Sequence, residues 1–329
     1  MNIKTILIVL GEPNSVFSEI LFKYFCSKKF KRIKKKIVLI GSKKLILDQM
    51  KKLKYKLLLN EVENLKSSKI KKINIIDVNY KFKKSFDKIS DKSNEYIKSC
   101  FDISFNIIKK NKSIGLINGP ISKKHFLKKK YPGITEYIAK KTNSKNEVML
   151  IYNKNLSVSP LTTHIPIKYV YKNINKKKII NNVIKINNFF KKNLKKKPKF
   201  AVLGLNPHCE TTDKISEEKV ELIPAINYLR RKKLSIKGPF PADTFFSKKN
   251  IKYYDVVIGM YHDQVLTPIK TLFDFNAINI TIGLPFIRIS PDHGPNYEMI
   301  GKNKSDASSI FYAIKFFNML SWKFYQKKV

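Results

Sequence analysis

Seven short, largely apolar runs punctuate this chain: Ile6–Leu10, Ile37–Ile40, Ile114–Ile117, Val148–Tyr152, Phe200–Leu205, Val256–Met260 and Ile278–Ile282. A strand buried on both faces reads as such a continuous run, not as an alternation. Between the runs, apolar residues recur at helical spacing. Ile97, Phe101, Phe105 and Ile108 predict a long helix ending near Asn111. Ile310, Ala313, Ile314 and Phe317 predict another, starting near Ser305. A helix is also expected from about Ser18 to Phe30. Strands alternating with helices predict an α/β fold with a largely parallel sheet covered on both faces. Residues 61–91 are polar and show no clear period. The Lys/Asn-rich stretch 173–198 keeps an Ile/Val spacing that permits a helix.

At 329 residues the chain is long enough for two lobes with a substantial core. The N-terminal TILIVLG is too short for a signal segment and runs into Glu12 and Pro13, so it reads as the first strand. No apolar stretch approaches a membrane span. Cys26, Cys100 and Cys209 are widely spaced and form no CxxC, as expected of a reducing compartment. The cytoplasm is the expected location, and no membrane partner is expected.

The charge is unusual: 67 Lys and Arg against 24 Asp and Glu, a net +43. Such a balance can point to nucleic acid or an anionic membrane. Here the lysines are spread through the chain, and no recognition signature accompanies them. A drift toward Lys, Asn and Ile, whose codons are AT-rich, accounts for the composition. No specific nucleic-acid partner is expected, although the field still attracts anionic substrates.

No two of the 11 glycines are separated by a single residue, so the chain has no GxGxxG dinucleotide loop. Nor does it have a P-loop or a GxSxG nucleophile elbow.

Three of the five histidines each stand just after an apolar run: His164 in SPLTTHIP, His208 in AVLGLNPH and His262 in VVIGMYHDQ. In an open α/β sheet the loops at the carboxyl ends of strands form the ligand crevice. Each histidine alone could simply cap a strand or bond a backbone carbonyl. The shared context, with Glu210, Asp263 and Gln264 nearby, points to a divalent-metal site with open positions for substrate oxygens. Cys209 is expected to be a small packed residue and not a ligand.

The last third places polar groups in apolar segments: Asp243 in GPFPADTFF, Lys270 in LTPIK, Asn279 within AINITIG, and Arg288 just past that run. One reading is a satisfied buried amide and a surface arginine. The other is an anion clamp, with Lys as point charge, Arg as fork and Asn as neutral donor.

These segments resemble the PdxA family of 4-hydroxythreonine-4-phosphate dehydrogenases. The resemblance rests on GEPNSVFSEI, INGPISKKHF, YPGITEYIAKKT, LTTHIP, LNPHCE, GPFPADTFF, YHDQVLTPIK, NITIGLPFIRISPDHG and IGKNKSDASS, in the family's order over nearly the whole length. It implies one catalytic unit over residues 1–329. That unit has a two-lobe α/β/α fold related to isocitrate and isopropylmalate dehydrogenases, with a cleft between the lobes. It also implies a homodimer with the active site at the subunit interface.

The family's metal ligands fall on His164, His208 and His262, drawn from both subunits, and hold one divalent ion (Zn, Mg or Co). Its substrate ligands fall on Thr135, Lys270, Asn279 and Arg288. The implied reaction is NAD- or NADP-dependent oxidation of 4-phosphooxy-L-threonine, then decarboxylation, in pyridoxal 5'-phosphate synthesis. Asp243 and Asp263 are the carboxylate candidates for proton transfer or for orienting ligand histidines.

There are departures from the family pattern. Ile134 stands in GITE where a histidine is usual, and it cannot make that substrate hydrogen bond. Ser15 and Phe17 replace common glycines in the first loop, and HGPN at His293–Asn296 replaces HGT. A phospho-threonate or phospho-erythronate dehydrogenase of the same family therefore stays open as a second reading. A non-enzymatic basic binding protein on the same scaffold is a third.

Overall fold

The computed structural model describes residues 3–111, 113–128, 130–211, 215–274, 276–291 and 294–322. It contains the strands β1 (Thr5–Val9), β2 (Lys36–Gly41), β3 (Leu59–Glu61), β4 (Ile73–Asp77), β5 (Ile114–Asn118) and β6 (Val148–Tyr152). These are followed by β7 (Ser157–Pro160), β8 (Phe200–Leu203), β9 (Ile236–Phe240), β10 (Val256–Gly259), β11 (Ile278–Ile282) and β12 (Ile287–Pro291). The chain divides into two compact units, Met1–Lys145 with Leu284–Val329, and Asn146–Gly283.

In the first unit the strands run in the order β3-β4-β2-β1-β5-β12, and every pairing is parallel. Both faces are covered, which is why these strands are apolar throughout. Leu7, Val9, Val38, Ile40 and Leu116 pack with Ile97 and Phe101 of the helix Asn94–Lys110. On the other face Gly115 leaves room for the ring of Phe317 from the helix Ser308–Trp322; a Cβ there would lie 2.2 Å from the ring.

In the second unit the order is β11-β6-β7-β10-β8-β9. β7, β10, β8 and β9 are parallel, and β6 runs antiparallel to β7 and β11. Val265, Leu266 and Ile269 of the helix His262–Phe273 pack on Val158, Ala201, Leu203 and Val257. The helix Lys176–Phe189 packs against β6 and β11, and the helix Ile223–Arg231 against β9. All parallel strands of this unit therefore present their carboxyl ends in one direction and their amino ends in the other.

The α/β class is as expected, with local differences. The helix expected over Ser18–Phe30 is two pieces, Phe17–Phe25 and Lys28–Lys31, because the Ser27 hydroxyl caps the second through the Phe30 N–H at 3.4 Å. β4, within the unassigned 61–91 stretch, is short, follows Lys71 and Lys72 and is interrupted by Asn74. β7 carries two serines, and Ser159 satisfies its hydroxyl on Met149 O at 2.6 Å. Arg288 does not lie past the end of a strand or on the surface. It sits inside β12 and is fully buried.

Candidate active site

The carboxyl ends of the parallel strands in the second unit are tied together by hydrogen bonds. Leu161 N–H donates to Gly259 O at 2.7 Å. The N–H and the hydroxyl of Thr162 both donate to Met260 O, at 3.2 and 2.7 Å. These bonds fasten the exit of β7 to the exit of β10. They bring the rings of His164 and His262 to a centroid separation of 5.9 Å. His262 opens its helix, and its Nδ1 lies 2.6 Å from Asp263 Oδ1. A carboxylate on Nδ1 fixes the tautomer and leaves Nε2 available to a ligand.

His208 sits on the turn Pro207–Cys209 after β8, exposed. His208 and Cys209 have φ of 55° and 61°. Left-handed backbone costs a non-glycine residue roughly 1–2 kcal/mol, so surrounding contacts must hold the turn. Glu218 does so: Oε1 accepts from the backbone of Leu205 (2.8 Å) and Asn206 (2.9 Å), and Oε2 from Asn206 Nδ2 (2.8 Å). Burial alone would raise this carboxyl's pKa; the bonds from Asn206 and Leu205 outweigh it and hold the pKa below the ordinary value. Gln264 adds a staple. Its Oε1 accepts from Met260 N (2.7 Å) and its Nε2 donates to Gly204 O (2.8 Å), joining the exits of β10 and β8. Cys209 packs as expected: a Cβ on Gly204 would lie 2.7 Å from its Sγ.

Among the described residues no group of three or more His, Cys, Asp or Glu side chains is gathered closely enough to hold a metal ion. The chain does bring together two imidazoles, one of them oriented by a carboxylate. That donor chemistry suits a divalent zinc- or cobalt-like cation as part of its ligand set.

Asp243 lies in the first turn of the short helix Ala242–Phe245 and is exposed. With Phe246, Tyr261, Gln264, Thr267 and Thr271 it lines a groove of about 450 Å³ beside the His262 helix. The volume is that of a small-molecule pocket, with an aromatic and hydroxyl lining. The loop after β1 offers no such place. There Glu12 is buried and accepts from Asn14 N (3.2 Å) and Ser93 Oγ (3.1 Å), so a carboxylate fills the loop where a Rossmann fold would bind pyrophosphate. Lys270 is exposed on the same helix as His262. Asn279 lies in β11, and its buried Oδ1 has no hydrogen-bond partner among the described residues. An unpaired buried amide atom is where a ligand's polar group fits.

In the first unit Arg288 is fully buried. Its Nε donates to Asn118 Oδ1 at 2.7 Å and its Nη1 to Thr135 Oγ1 at 3.1 Å. Asn118 is itself fixed by donating to Gly119 O at 2.9 Å. Burial lowers the guanidinium pKa to about 10, and the Glu136 carboxylate partly offsets this. Thr135 follows Ile134 in the first turn of the helix Ile134–Lys141. Ile134 is half-buried and packs, with Tyr131, on the cluster that holds Phe101, Tyr137 and Ile138. Phe17, where a glycine is common, fills the space over Gly119: a Cβ on Gly119 would lie 2.4 Å from its ring. Ser15 bonds back to Glu12 O at 2.7 Å. His293 lies outside the described residues.

Sequence reasoning missed Asn118 and Glu218 as supporting residues. A polar residue ending an apolar run (GLIN) was a usable signal for Asn118. For Glu218 there was none, because its bonds span a dozen residues of irregular chain.

Two imidazoles paired at strand ends, one of them oriented by a carboxylate, are the donor chemistry of a metal-binding or acid–base enzyme site. Residues 33–317 match the family model described as pyridoxal phosphate biosynthetic protein PdxA, and the chain belongs to that family. A relative from Sulfurihydrogenibium sp. (strain YO3AOP1), named 4-hydroxythreonine-4-phosphate dehydrogenase, is 38% identical over 316 residues, 94% of this chain and 95% of its own. One of the same name from Aquifex aeolicus (strain VF5) is 34% identical over 317 residues, 95% and 97% of the two chains. The crystal structure of the Klebsiella pneumoniae enzyme of that name has 25% identity and a TM-score of 0.83, covering 97% of this chain and 99% of its own. A terephthalate 1,2-cis-dihydrodiol dehydrogenase from Burkholderia xenovorans LB400, at 18% identity and TM-score 0.64, shares the fold.

Proposed function

We propose that this protein oxidises 4-phosphooxy-L-threonine with NAD or NADP and that the product loses CO2, as a step toward pyridoxal phosphate. The reading is carried by full-length similarity to relatives named for that substrate, together with the ring pairing of His164 and His262. In this scheme His164, His208 and His262 hold a divalent ion, with ligands contributed by both chains of a homodimer. When bound, that ion would acidify the substrate hydroxyl and polarise the ketone formed from it.

The chain's own groups do the rest. Asp263 keeps His262 in the tautomer that offers Nε2. Asp243, exposed in its groove, receives the hydroxyl proton, since Asp263 is already engaged by imidazole. The C–H bond breaks with its electron pair leaving as hydride to the nicotinamide, and the resulting β-keto acid releases its carboxylate as CO2. Lys270, Asn279 and Arg288 hold the phosphate and carboxylate ends, and the Thr135 hydroxyl is oriented by Arg288. The cytoplasm is the proposed location; among the described residues no helix is long and apolar enough to cross a membrane.

Ile134 favours weighing one further substrate class, because the position cannot donate a hydrogen bond. NAD(P)H formation should be measured with 4-phosphooxy-L-threonine and with 4-phospho-erythronate, with and without chelator. Turnover of the first that chelation abolishes supports the proposal; turnover of the second alone replaces it.

A further inference from the structure

The amino ends of the parallel strands in the second unit carry a feature that the dehydrogenase reading does not use. The lead-ins to three adjacent strands lie side by side there. Lys199 O accepts from both Asp255 N (2.8 Å) and Val256 N (3.1 Å), and Phe200 N donates to Ser235 O at 2.8 Å. Segments distant in sequence, Lys195–Lys199 before β8, Arg230–Ser235 before β9 and Lys252–Asp255 before β10, thus converge at one sheet end. These fifteen residues carry nine Lys or Arg and one acid, against 67 Lys or Arg in all 329. The local density is far above an already basic background. All nine cations are exposed.

The one acid does little to neutralise them. Asp255 is consumed internally, pairing with Lys196 Nζ and accepting from Lys199 N at 2.9 Å. Two tyrosines stand among the cations. Tyr253 is 57% exposed with Lys252 Nζ 5.1 Å from its ring, and Tyr228 has Lys232 Nζ at 5.7 Å. A groove of about 500 Å³ lined by Arg230, Ser235 and Lys237 runs beside them.

We propose that this face binds single-stranded nucleic acid, RNA or DNA, through its phosphate backbone and without base specificity. The lead-ins of three adjacent strands span two strand spacings, about 10 Å, the run of roughly three phosphates. An exposed aromatic among lysines provides a stacking platform for a base. An anionic membrane fits less well, because surface helices that hold to lipid insert several apolar residues, and Tyr253 is the one large exposed hydrophobic in the three segments. The face lies at the opposite strand ends from His164, His208 and His262, so it is independent of the proposed reaction.

The test is anisotropy of a labelled oligouridylate, about 12 nucleotides long, titrated with the full chain at several salt concentrations. A variant combining Lys197→Gln, Lys199→Gln, Arg231→Gln and Lys232→Gln should bind at least tenfold more weakly. Its log–log salt slope should fall by about 2, from the loss of roughly three phosphate contacts. A control of equal net charge, Lys51→Gln, Lys52→Gln, Lys109→Gln and Lys110→Gln, should change binding less than twofold. The charge-preserving set Lys197→Arg, Lys199→Arg and Lys232→Arg should keep wild-type affinity. Dehydrogenase activity should be unchanged in all three. Equal losses in the two Gln variants would reduce the effect to net charge and overturn the proposal. So would absence of wild-type binding at physiological salt, or binding to phosphatidylserine vesicles but not to the oligonucleotide.

Discussion

Arg288 and Asn118 meet through a 2.7 Å hydrogen bond, with neither side chain more than 1% exposed. The bond joins β12 to the end of β5, neighbours in the sheet, and fixes a fully buried guanidinium against a neutral amide. A buried donor that loses its acceptor forfeits its desolvation cost as well as the bond. Asn118→Ala should therefore lower unfolding stability by about 1–3 kcal/mol in urea titrations. Arg288→Lys should be worse for function than for folding, since an ammonium cannot bond Asn118 and Thr135 in the same fork geometry. A tenfold or greater rise in substrate KM with little change in cofactor KM is the expected kinetic result. Equal losses for both would move Arg288 to a purely structural role.

Glu12 makes stability depend on pH. Burial raises its pKa from 4.5 to about 7, against the lowering effects of the Asn14 backbone, the Ser93 hydroxyl and the nearby His125. His125 is itself held by Asp91 at 2.8 Å, which also pairs with Lys128, and Tyr80 and Asp87 lie on the same side. The folded pKa lies above the unfolded one. The native state thus binds more protons between pH 4.5 and about 7, and stability falls as pH rises through that window. The change is of order 3 kcal/mol. Glu12→Gln should flatten it, which urea midpoints at the two ends of the window will show.

Asp263 orients His262 in this account. Asp263→Ala should weaken cobalt or zinc binding by roughly 10–100-fold, read by competition with a chromogenic chelator, while leaving Tm nearly unchanged. His208→Ala should also cut metal affinity and turnover severely. Unchanged metal content in both variants would sink the ligand assignment.

Ile134→His separates an ancestral contact from a repacked wall. Ile134 and Tyr131 pack on an aromatic cluster in which Tyr131 and Tyr137 meet edge to face at 5.4 Å. An imidazole placed against that surface must lose water without a built partner. The expected result is a lower Tm, by about 1–3 kcal/mol of stability, with no gain in kcat/KM. Improved kcat/KM at unchanged Tm would show that the contact geometry survives.

Much of the fold was legible because doubly covered strands must be apolar throughout, as Ile37–Ile40 and Val256–Met260 are. The strands that escaped notice break that rule locally. β12 hides an arginine whose partners lie 153 and 170 residues away in sequence; β7 was visible only as the run before His164, because Ser157 and Ser159 interrupt it and Ser159 hides its hydroxyl on a neighbouring carbonyl. The histidines were legible by their position after strands, and two of them meet. The supports that place them were not, because Glu218 and Gln264 act through backbone groups, which look alike in any sequence. Likewise, lysine runs that seem scattered along the chain converge only once parallel strands align their amino ends.

The staple made by Gln264 has a consequence for engineering. One amide holds the loop after β8 and the loop after β10 at once, through Gly204 O and Met260 N. Neither loop is a module that can be swapped alone: a graft of LNPHCE from another protein would arrive without its clasp unless YHDQ travelled with it. Chimeras should therefore exchange the two segments as a pair, with the glutamine and Gly204 matched to each other.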